Sequence, residues 1–293
     1  MRKILLTGAN GQLGRAIQKV YRNEAEFVLT DMAAGDGIRI LDISDLSAVQ
    51  QCISETYPDS VINCAAMTNV DGCEQDIEGA FRANAIGPRN LAIAAESAQI
   101  RLVHISTDYV FPGTERKEAY TEFDCPEPLS AYGRTKLAGE EFVREFSSKH
   151  FIFRTAWLYG DGHNFIKTML KLAENHDELS VVADQRGTPT SALELARLIH
   201  LMEPTDEYGV YHATCEGDTN WADFAEMIFS KAGKDVRVNH VTSEEYKKMN
   251  PASADRPKFG ILDNMMLRLV SDYRMAEWED ALDEYLGGLQ NGQ

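Results

Sequence analysis

Residues 3–14 read Lys3-Ile4-Leu5-Leu6-Thr7-Gly8-Ala9-Asn10-Gly11-Gln12-Leu13-Gly14, an apolar run that leads into a Gly-x-x-Gly-x-x-Gly spacing. A strand, a glycine turn and a helix in this order predict a cradle for the phosphates of a dinucleotide. Gly8 allows the tight turn, Gly11 lets the backbone approach a pyrophosphate, and Gly14 lets the helix pack close to the strand. The helix N-terminus adds free N–H groups. The alternative, an ordinary loop with spare glycines, is disfavoured by the combination of all three features.

A second run that favours a strand, residues 26–31, ends in an acidic residue, Asp31. A carboxylate about twenty residues past the glycines can accept hydrogen bonds from the adenosine ribose. It would also repel a 2′-phosphate, so Asp31 favours NADH over NADPH. A solvated turn aspartate is the alternative interpretation, because turns favour this residue type.

Apolar runs at residues 38–43, 60–66, 100–107 and 151–160 alternate with helical patterns. This alternation predicts an α/β fold with a doubly wound parallel (Rossmann) sheet and right-handed crossovers. We assign residues 1–160 to an NAD(P)-binding domain, to which later segments return, and residues 161–293 mainly to a smaller mixed α/β substrate lobe. Residues at or near strand ends that would line the cofactor edge are Asp42, Ile43, Ala65, Ala66, Ser106 and Thr107.

Two stretches interrupt the regular pattern. The long helical pattern of residues 74–99 contains Gly87-Pro88, where the proline either kinks the helix or starts its second half. Residues 111–130 are rich in proline and charge, which is typical of an active-site loop or of a disordered one.

Composition narrows the classes of partner and location. The net charge of −17 argues against nucleic acid or an anionic membrane surface as partner. Five scattered cysteines without a C-x-x-C pair are typical of reduced thiols in a cytosolic protein. The first apolar run is too short for a signal peptide, and no run approaches the length of a membrane span. We therefore expect a cytoplasmic protein. The histidines show no metal-ligand spacing, so no catalytic metal is expected.

Tyr132 and Lys136 are four residues apart and share one face of a predicted helix. An ammonium close to a phenol lowers the phenol pKa, which makes the tyrosine a usable proton donor near neutral pH. A Tyr-x-x-x-Lys spacing alone is a weak signal. Its position after the strand that ends in Thr107, at the cofactor edge, favours a catalytic pair over a chance pairing on a solvated helix.

Other candidates have weaker support. Tyr109 and Trp157 offer aromatic walls for a sugar or base, although each is equally compatible with a core or interface role. The best local cations for a ligand phosphate are Arg186, Arg256 and Lys258, and a solvated surface role is as good an interpretation for any one of them.

With these residues, the chain resembles the extended short-chain dehydrogenase/reductase superfamily and, within it, the dTDP-4-dehydrorhamnose reductase family. The matching stretches span almost the whole chain in order. They are the glycine turn, residues 106–111, 132–140, 154–159 and 184–190, Arg256-Pro257, and residues 262–264.

The resemblance implies NAD(P)H-dependent reduction of the 4-keto group of dTDP-4-dehydro-L-rhamnose. Tyr132 would donate the proton, Thr107 would hydrogen-bond the same oxygen, and Lys136 would bind the nicotinamide ribose and tune Tyr132. Asp108, Tyr109 and Trp157 match sugar-site positions, and Arg256 matches an element that contacts the nucleotide diphosphate. Positions that match cofactor contacts are Gly11, Gln12, Leu13, Asp31, Asp42, Ile43, Ala65, Ala66 and Met67.

Some relatives dimerise through Mg²⁺ held by glutamates, one of them in the first helix. The corresponding stretch here, residues 14–17, contains no acid. We therefore expect NADPH or NADH as cofactor, no Mg²⁺-bridged dimer, and a monomer or homodimer that binds a small nucleotide sugar.

Two rival functions remain open at this point. A nucleotide-sugar dehydratase of the same superfamily carries an acidic pair after Ser-Thr, whereas Asp108 is followed by Tyr109 here; an epimerase is the other enzymatic alternative. A non-catalytic subunit resembling the regulatory partner of methionine adenosyltransferase is the second rival, against which the intact Thr107, Tyr132 and Lys136 argue.

Overall fold

The computed structural model describes residues 1–251 and 253–290, and its first half alternates strands with helices. Its regular elements in chain order are β1 (Arg2–Thr7), α1 (Gln12–Val20), β2 (Ala25–Asp31), β3 (Arg39–Ile40), α2 (Leu46–Thr56), β4 (Ser60–Asn63), α3 (Val70–Gln75), α4 (Ile77–Phe81), a π-helix (Arg82–Ile86), α5 (Gly87–Ala98), β5 (Arg101–Thr107), a 3-10 turn (Asp108–Val110), α6 (Ala131–Phe146) and β6 (His150–Thr155).

The second half consists of shorter elements. They are β7 (Leu158–Tyr159), α7 (Phe165–Leu172), β8 (Glu178–Val182), β9 (Arg186–Gly187), β10 (Thr190–Ser191), α8 (Ala192–Met202), β11 (Gly209–His212), β12 (Thr219–Asn220), α9 (Trp221–Lys231), β13 (Arg237–Val241), α10 (Ser243–Met249), α11 (Met265–Val270) and α12 (Trp278–Gln290).

Among the described residues, seven strands form one sheet in the order β11-β6-β5-β4-β1-β2-β3. Every neighbouring pair is parallel, so all carboxyl ends lie at one edge. The strand order reverses between β1 and β4, which is the point where ligands bind in open sheets of this kind. This doubly wound sheet confirms the predicted fold class.

Apolar side chains from both faces of the sheet form two cores. Ile4 and Leu6 pack with α1 and α8 on one face, while Leu5 packs with α2 and α5 on the other, and all three strand residues are fully buried. A strand whose successive side chains are all buried needs helices on both faces. The apolar run of residues 4–6 therefore sets the layer architecture.

The smaller lobe has its own apolar core, to which α7, α9 and α12 contribute Ile166, Phe224 and Leu282. A parallel pair of strands, β8 and β13, belongs to it. In contrast, β11 pairs with β6 at the end of the main sheet, and α8 packs against α1. A boundary near residue 160 stays a prediction, and positions 252 and 291–293 of the assigned lobe lie outside the described residues.

Several predicted elements differ in detail from the structure. The strands predicted at residues 38–43 and 60–66 are shorter, since β3 spans Arg39–Ile40 and β4 spans Ser60–Asn63. The helical pattern of residues 74–99 is divided into α3, α4, the π-helix and α5, and the irregular turn precedes Gly87-Pro88. Pro88 lies in the first turn of α5, directly after the π-helix, and the backbone of Ile86 and Gly87 stays helical, so the proline lies at the start of the second half of the pattern. The strand predicted for residues 151–160 ends at Thr155, because Trp157 adopts a left-handed backbone with φ of +47°.

None of the helices in the part of the chain that the structure describes combines the length and apolarity needed to cross a membrane.

Candidate active site

The glycine turn joins β1 to α1 at the centre of the sheet edge. Gly8 has a φ of +66°, and the Gly11 N–H donates to its carbonyl at 3.0 Å. The Gln18 side chain stabilises the turn by donating a hydrogen bond to the Ala9 carbonyl oxygen at 2.8 Å. Because Gly11 is the N-cap and has no side chain, the first-turn N–H groups of α1 face an open space.

Close contacts with neighbouring backbone atoms explain why glycine occupies positions 8 and 14. A Cβ on Gly8 would lie 2.7 Å from the backbone nitrogen of Ala65, and one on Gly14 would lie 2.4 Å from the carbonyl oxygen of Gly8. The close packing of turn, strand and helix therefore depends on missing side chains. This cradle, open on the ligand side, fits the pyrophosphate of a dinucleotide.

A cavity of about 610 Å³ lies on one side of the turn. Asp31 accepts hydrogen bonds from the backbone N–H of Asn10 at 3.0 Å and of Ala33 at 3.1 Å, so its carboxylate is fixed at the wall. The predicted cofactor residues in its lining are Gly8, Gly11, Asp31, Asp42, Ile43, Ala65, Ala66 and Met67.

A second cavity of about 510 Å³ shares Gly11, Cys64, Ala65 and Ala66 with the first and so adjoins it. The predicted residues that line it are Gly11, Gln12, Leu13, Gly14, Ala65, Ala66, Thr107, Asp108, Tyr109, Tyr132, Lys136 and Trp157. The fold therefore brings the proposed catalytic residues Thr107, Tyr132 and Lys136 together beside the dinucleotide cradle, although the glycine turn lies about a hundred residues earlier in the sequence.

The Thr107 side chain makes several hydrogen bonds in the second cavity. Its Oγ1 lies 3.0 Å from Asp108 Oδ1, accepts from the Tyr109 N–H at 3.2 Å, and is hydrogen-bonded to the side chain of Tyr132. Burial raises the pKa of Asp108 to about 7, against the lowering effect of its hydrogen bond from Thr107. Asp108 is thus a carboxyl group that titrates near neutral pH.

Lys136 is almost fully buried one helical turn after Tyr132. Its ammonium donates to the carbonyl oxygen of Ile105 at 2.5 Å, on the strand that ends in Thr107. Burial lowers the pKa of Lys136 to about 8, although the nearby carboxylate of Glu140 opposes this shift. The lysine is therefore held at the sheet edge and is easier to deprotonate than a surface lysine.

The expected acidification of Tyr132 by Lys136 is wrong for the chain without ligands. Desolvation raises the pKa of Tyr132, and the hydrogen bond to Thr107 offsets this only in part. The physical reason is that the Lys136 ammonium is bonded to the Ile105 carbonyl, in a site where burial disfavours both charges.

A buried ion pair fixes α6, the helix that carries Tyr132 and Lys136, to the sheet. Arg154 on β6 makes a bidentate contact with Glu140 on α6, with distances of 2.9 and 2.7 Å, and the two side chains are 2% and 0% exposed. The pair joins the catalytic helix to the strand next to Thr107, and each charge depends on the other for compensation.

Arg256 lies outside the linings of both cavities. Its guanidinium bonds Ser253 at 2.6 Å, forms an ion pair with Asp71 at 3.2 Å, and is hydrogen-bonded to Tyr109. The other two candidate cations, Arg186 and Lys258, are paired with Asp218 and Asp184. The structure thus places Arg256 beside Tyr109, a candidate sugar-site residue, but does not bring Arg256 into the lining of the cavity.

Sequence reasoning missed several residues at the site. Arg82 lines the first cavity and Trp221 lines the second. Asn84, in the π-helix, is hydrogen-bonded to the backbone of Met67 at 2.8 and 3.0 Å and to the Thr135 hydroxyl at 3.2 Å. It therefore joins the segment after β4, which contains Met67, to α6. A tryptophan at the start of a helix was a visible signal for Trp221, whereas the contacts of Asn84 depend on the fold.

The fold also groups three surface side chains that sequence spacing did not connect. His240 Nε2 lies 2.8 Å from Glu226 and 4.0 Å from Asp223, and all three residues are exposed. They belong to α9 and β13, outside both cavity linings. The expectation that no metal takes part in catalysis stays a prediction.

A doubly wound sheet, a glycine cradle and a Thr-Tyr-Lys constellation at the adjoining cavity define an oxidoreductase of the short-chain dehydrogenase/reductase class. The family model described as the RmlD substrate binding domain matches residues 1–291. The chain therefore belongs to this family.

Three similar proteins agree with the family. A solved dTDP-4-dehydrorhamnose reductase from Clostridium acetobutylicum is 50% identical, with a TM-score of 0.92 and coverage of 98% of this chain and 99% of that one. The enzyme of that name from Bacillus anthracis, solved with NADP, is 42% identical, with a TM-score of 0.90 and the same coverage. The Escherichia coli dTDP-4-dehydrorhamnose reductase is 40% identical, covering 98% of this chain and 97% of the relative.

Proposed function

We propose that the protein catalyses the NAD(P)H-dependent reduction of the 4-keto group of dTDP-4-dehydro-L-rhamnose to give dTDP-L-rhamnose, the last step of dTDP-rhamnose synthesis for cell-surface polysaccharide. The observation that carries the proposal is the meeting of Thr107, Tyr132 and Lys136 in one cavity that adjoins the glycine cradle. Its family and the similar proteins described above support the same reaction.

The dinucleotide, when bound, supplies the hydride that reduces the sugar carbon. The cradle around Gly8, Gly11 and Gly14 would hold its pyrophosphate, and Asp31 would accept hydrogen bonds from the adenosine ribose. The nicotinamide ribose is assigned to Lys136, and the position of this residue in the adjoining cavity supports the assignment. Two small residues, Ala65 and Ala66, follow the carboxyl end of β4 and leave room for the cofactor at this edge.

Proton delivery to the sugar oxygen is assigned to Tyr132. Its phenol is protonated at neutral pH, as an ordinary tyrosine is, and desolvation raises its pKa further, so it begins the reaction as a donor. The reacting ketone oxygen accepts this proton as its negative charge develops, and Thr107 stabilises the same oxygen by a hydrogen bond. The nearby Lys136 ammonium then stabilises the phenolate that Tyr132 leaves behind.

The sugar end is assigned to Asp108, Tyr109 and Trp157, which line the cavity next to Thr107. Arg256 would reach the nucleotide diphosphate by leaving its ion pair with Asp71. An exchange of one anionic partner for another costs less than stripping a charge of all its partners. The placement of Arg256 beside Tyr109 supports a role at the outer end of the same site.

Two parts of the proposal concern the state of the protein in the cell. The structure brings no two cysteines into a disulfide among the described residues, which supports a reducing compartment, the cytoplasm. The stretch of the first helix that corresponds to a glutamate-bearing segment in some relatives, residues 14–17, contains no acid, which supports a monomer or a homodimer without a bridging Mg²⁺.

The decisive experiment mixes the protein with dTDP-4-dehydrorhamnose and either NADH or NADPH and follows the absorbance of the reduced nicotinamide. Cofactor oxidation that depends on the sugar is expected. No turnover with either cofactor would contradict the reductase and would favour a binding subunit, while release of a dehydrated or epimerised sugar would favour the other enzymatic rivals.

The Tyr132→Phe variant tests the role of the phenol. Removal of a positioned general acid is expected to lower kcat by about 10²–10⁴-fold, with NADH affinity retained. Tyr57→Phe is the matched control, because Tyr57 is 81% exposed and lies outside both cavities. Full activity of Tyr132→Phe would remove this residue from its assigned role.

A further inference from the structure

Trp157 has a backbone conformation that bulky residues rarely adopt. Its φ is +47°, in the left-handed region, between the end of β6 and the start of β7. Such a conformation costs about 1–3 kcal/mol and persists only where surrounding contacts enforce it. The contacts of the Trp157 side chain therefore indicate what fixes it.

Two residues clamp the indole of Trp157. The Trp221 ring stacks on it with ring centroids 3.6 Å apart and planes 10° from parallel. The backbone of Gly187 touches its edge so closely that a Cβ there would lie 2.6 Å from Cε2 and 2.7 Å from Nε1. Any side chain at position 187 would therefore displace the indole or the strand.

One small ribbon carries both parts of the clamp. Gly187 on β9 pairs with Thr219 on β12, and Trp221 begins the helix that follows β12. On the far side Trp221 is supported by Phe165, with ring centroids 4.6 Å apart. The clamp is thus built from the smaller lobe, while Thr107 and Tyr132 come from the main sheet and its helix.

Both tryptophans line the cavity that contains Thr107, Tyr132 and Lys136. The C–H-rich face of a pyranose ring packs well on a flat aromatic surface, which adds binding energy and fixes the ring orientation. A wall displaced by about 1 Å changes the distance between the reacting groups and costs rate. The orientation of the Trp157 indole is therefore a determinant of which sugar binds productively.

We infer that Trp221 and Gly187 are positioning residues for sugar selection: together they hold the Trp157 indole as the wall on which the deoxyhexose ring of the nucleotide sugar lies. The inference rests on the proposed function. Neither residue lines the cavity at Gly8 and Asp31, so we expect the adenosine half of the dinucleotide to bind independently of the clamp.

Two variants test the clamp from opposite sides. Trp221→Leu removes the stacked ring, and Gly187→Ala pushes the indole out of place. We expect each to raise the KM for the nucleotide sugar by about tenfold or more while the Kd for NADH changes less than about twofold. Trp221→Phe keeps an aromatic ring and should restore most of the sugar affinity.

Matched controls separate positioning from general damage. Trp278→Phe alters a tryptophan that packs edge-on against Phe224 in the lobe core, and Gly288→Ala adds a Cβ that meets no atom within 4 Å. Both should leave the KM unchanged. Two stacked indoles couple their electronic transitions, so we expect a circular dichroism couplet in the unaltered protein. This couplet should vanish in Trp221→Leu and persist in Trp278→Phe.

The outcomes are distinguishable. Turnover by the unaltered protein with an unchanged sugar KM in Gly187→Ala and Trp221→Leu would overturn the positioning role alone. Equal losses of NADH and sugar affinity would overturn it in favour of a structural role. If Trp221→Leu fails to fold, Gly187→Ala decides the question. No turnover by the unaltered protein would overturn both this inference and the proposed function.

Discussion

The two adjoining cavities are built from different parts of the chain. The one at Gly8 is lined by residues 7–83, largely through backbone, small side chains and strand ends, whereas the one at Thr107 draws on residues 11–221 and includes four aromatic side chains. The first is a local structure that strand, turn and helix define together. The second exists only after both lobes have packed. The cavity proposed for the dinucleotide is thus lined by the first 83 residues, whereas the cavity proposed for the sugar needs segments that lie up to 210 positions apart.

The largest expected effect comes from a substitution that disrupts the glycine turn of the first cavity. Gly8→Ala places a Cβ 2.7 Å from backbone atoms at a φ of +66°, whereas Gly37→Ala meets nothing within 4 Å at a φ of +69°. Gly37→Ala should cost about 1 kcal/mol. Gly8→Ala should cost at least about 3 kcal/mol in free energy of unfolding and abolish measurable NADH binding. Thermal unfolding and fluorescence titration measure both quantities, and equal effects of the two variants would contradict the steric argument.

The second cavity depends on the buried ion pair of Glu140 with Arg154, which joins α6 to β6. Glu140→Gln leaves Arg154 buried without a counter-charge and should lower the free energy of unfolding by about 3–5 kcal/mol. Glu284→Gln is the control, because its ion pair with Arg197 is 46% and 41% exposed and should contribute about 0–1 kcal/mol. Urea denaturation compares the two. A small loss in Glu140→Gln would show that water or another group compensates Arg154.

Sequence patterns predicted much of the first cavity because its determinants are short-range. The spacing of Gly8, Gly11 and Gly14 identifies the turn, and the apolar run before it identifies a central strand. Family resemblance added Met67 and the roles of Thr107 and Trp157, which the residues themselves left open. The stack of Trp157 on Trp221 was not predictable, because the two residues are 64 positions apart in the sequence and meet only through the pairing of β9 with β12.

The pKa of Tyr132 shows a second limit. Spacing correctly placed Tyr132 and Lys136 on one helix face, but it gave no measure of burial. Desolvation raises the pKa of Tyr132 and lowers that of Lys136 to about 8, so burial shifts each group towards its neutral form, while Lys136 still carries its charge at neutral pH. The electrostatic argument from adjacency omitted this cost, which depends on how tightly the lobe, the loop and the sheet enclose the cavity.

The pH dependence of stability provides a smaller test of the second cavity. The pKa of Asp108 rises from an ordinary 3.8 to about 7 through burial. A raised carboxyl pKa means that the neutral form stabilises the fold; this contribution is complete below about pH 4 and is lost as the pH rises to about 7. Relative to Asp108→Asn, the unaltered protein should lose about 2 kcal/mol of unfolding free energy between about pH 5 and about pH 8. Parallel pH profiles would contradict the burial of this carboxyl group.

The smallest expected effect concerns the choice of cofactor in the first cavity. The Asp31 carboxylate is fixed by two backbone N–H groups at the cavity wall, where it would repel a 2′-phosphate. NADH should therefore be at least competitive with NADPH, and Asp31→Asn should shift the ratio of kcat/KM values towards NADPH by about tenfold, or about 1.4 kcal/mol. Asp42→Asn removes a charge from the same cavity and should leave the ratio nearly unchanged. A strong preference of the unaltered protein for NADPH would show that the strand-end acid does not decide the cofactor, and would direct attention to the one cation that lines this cavity among the described residues, Arg82.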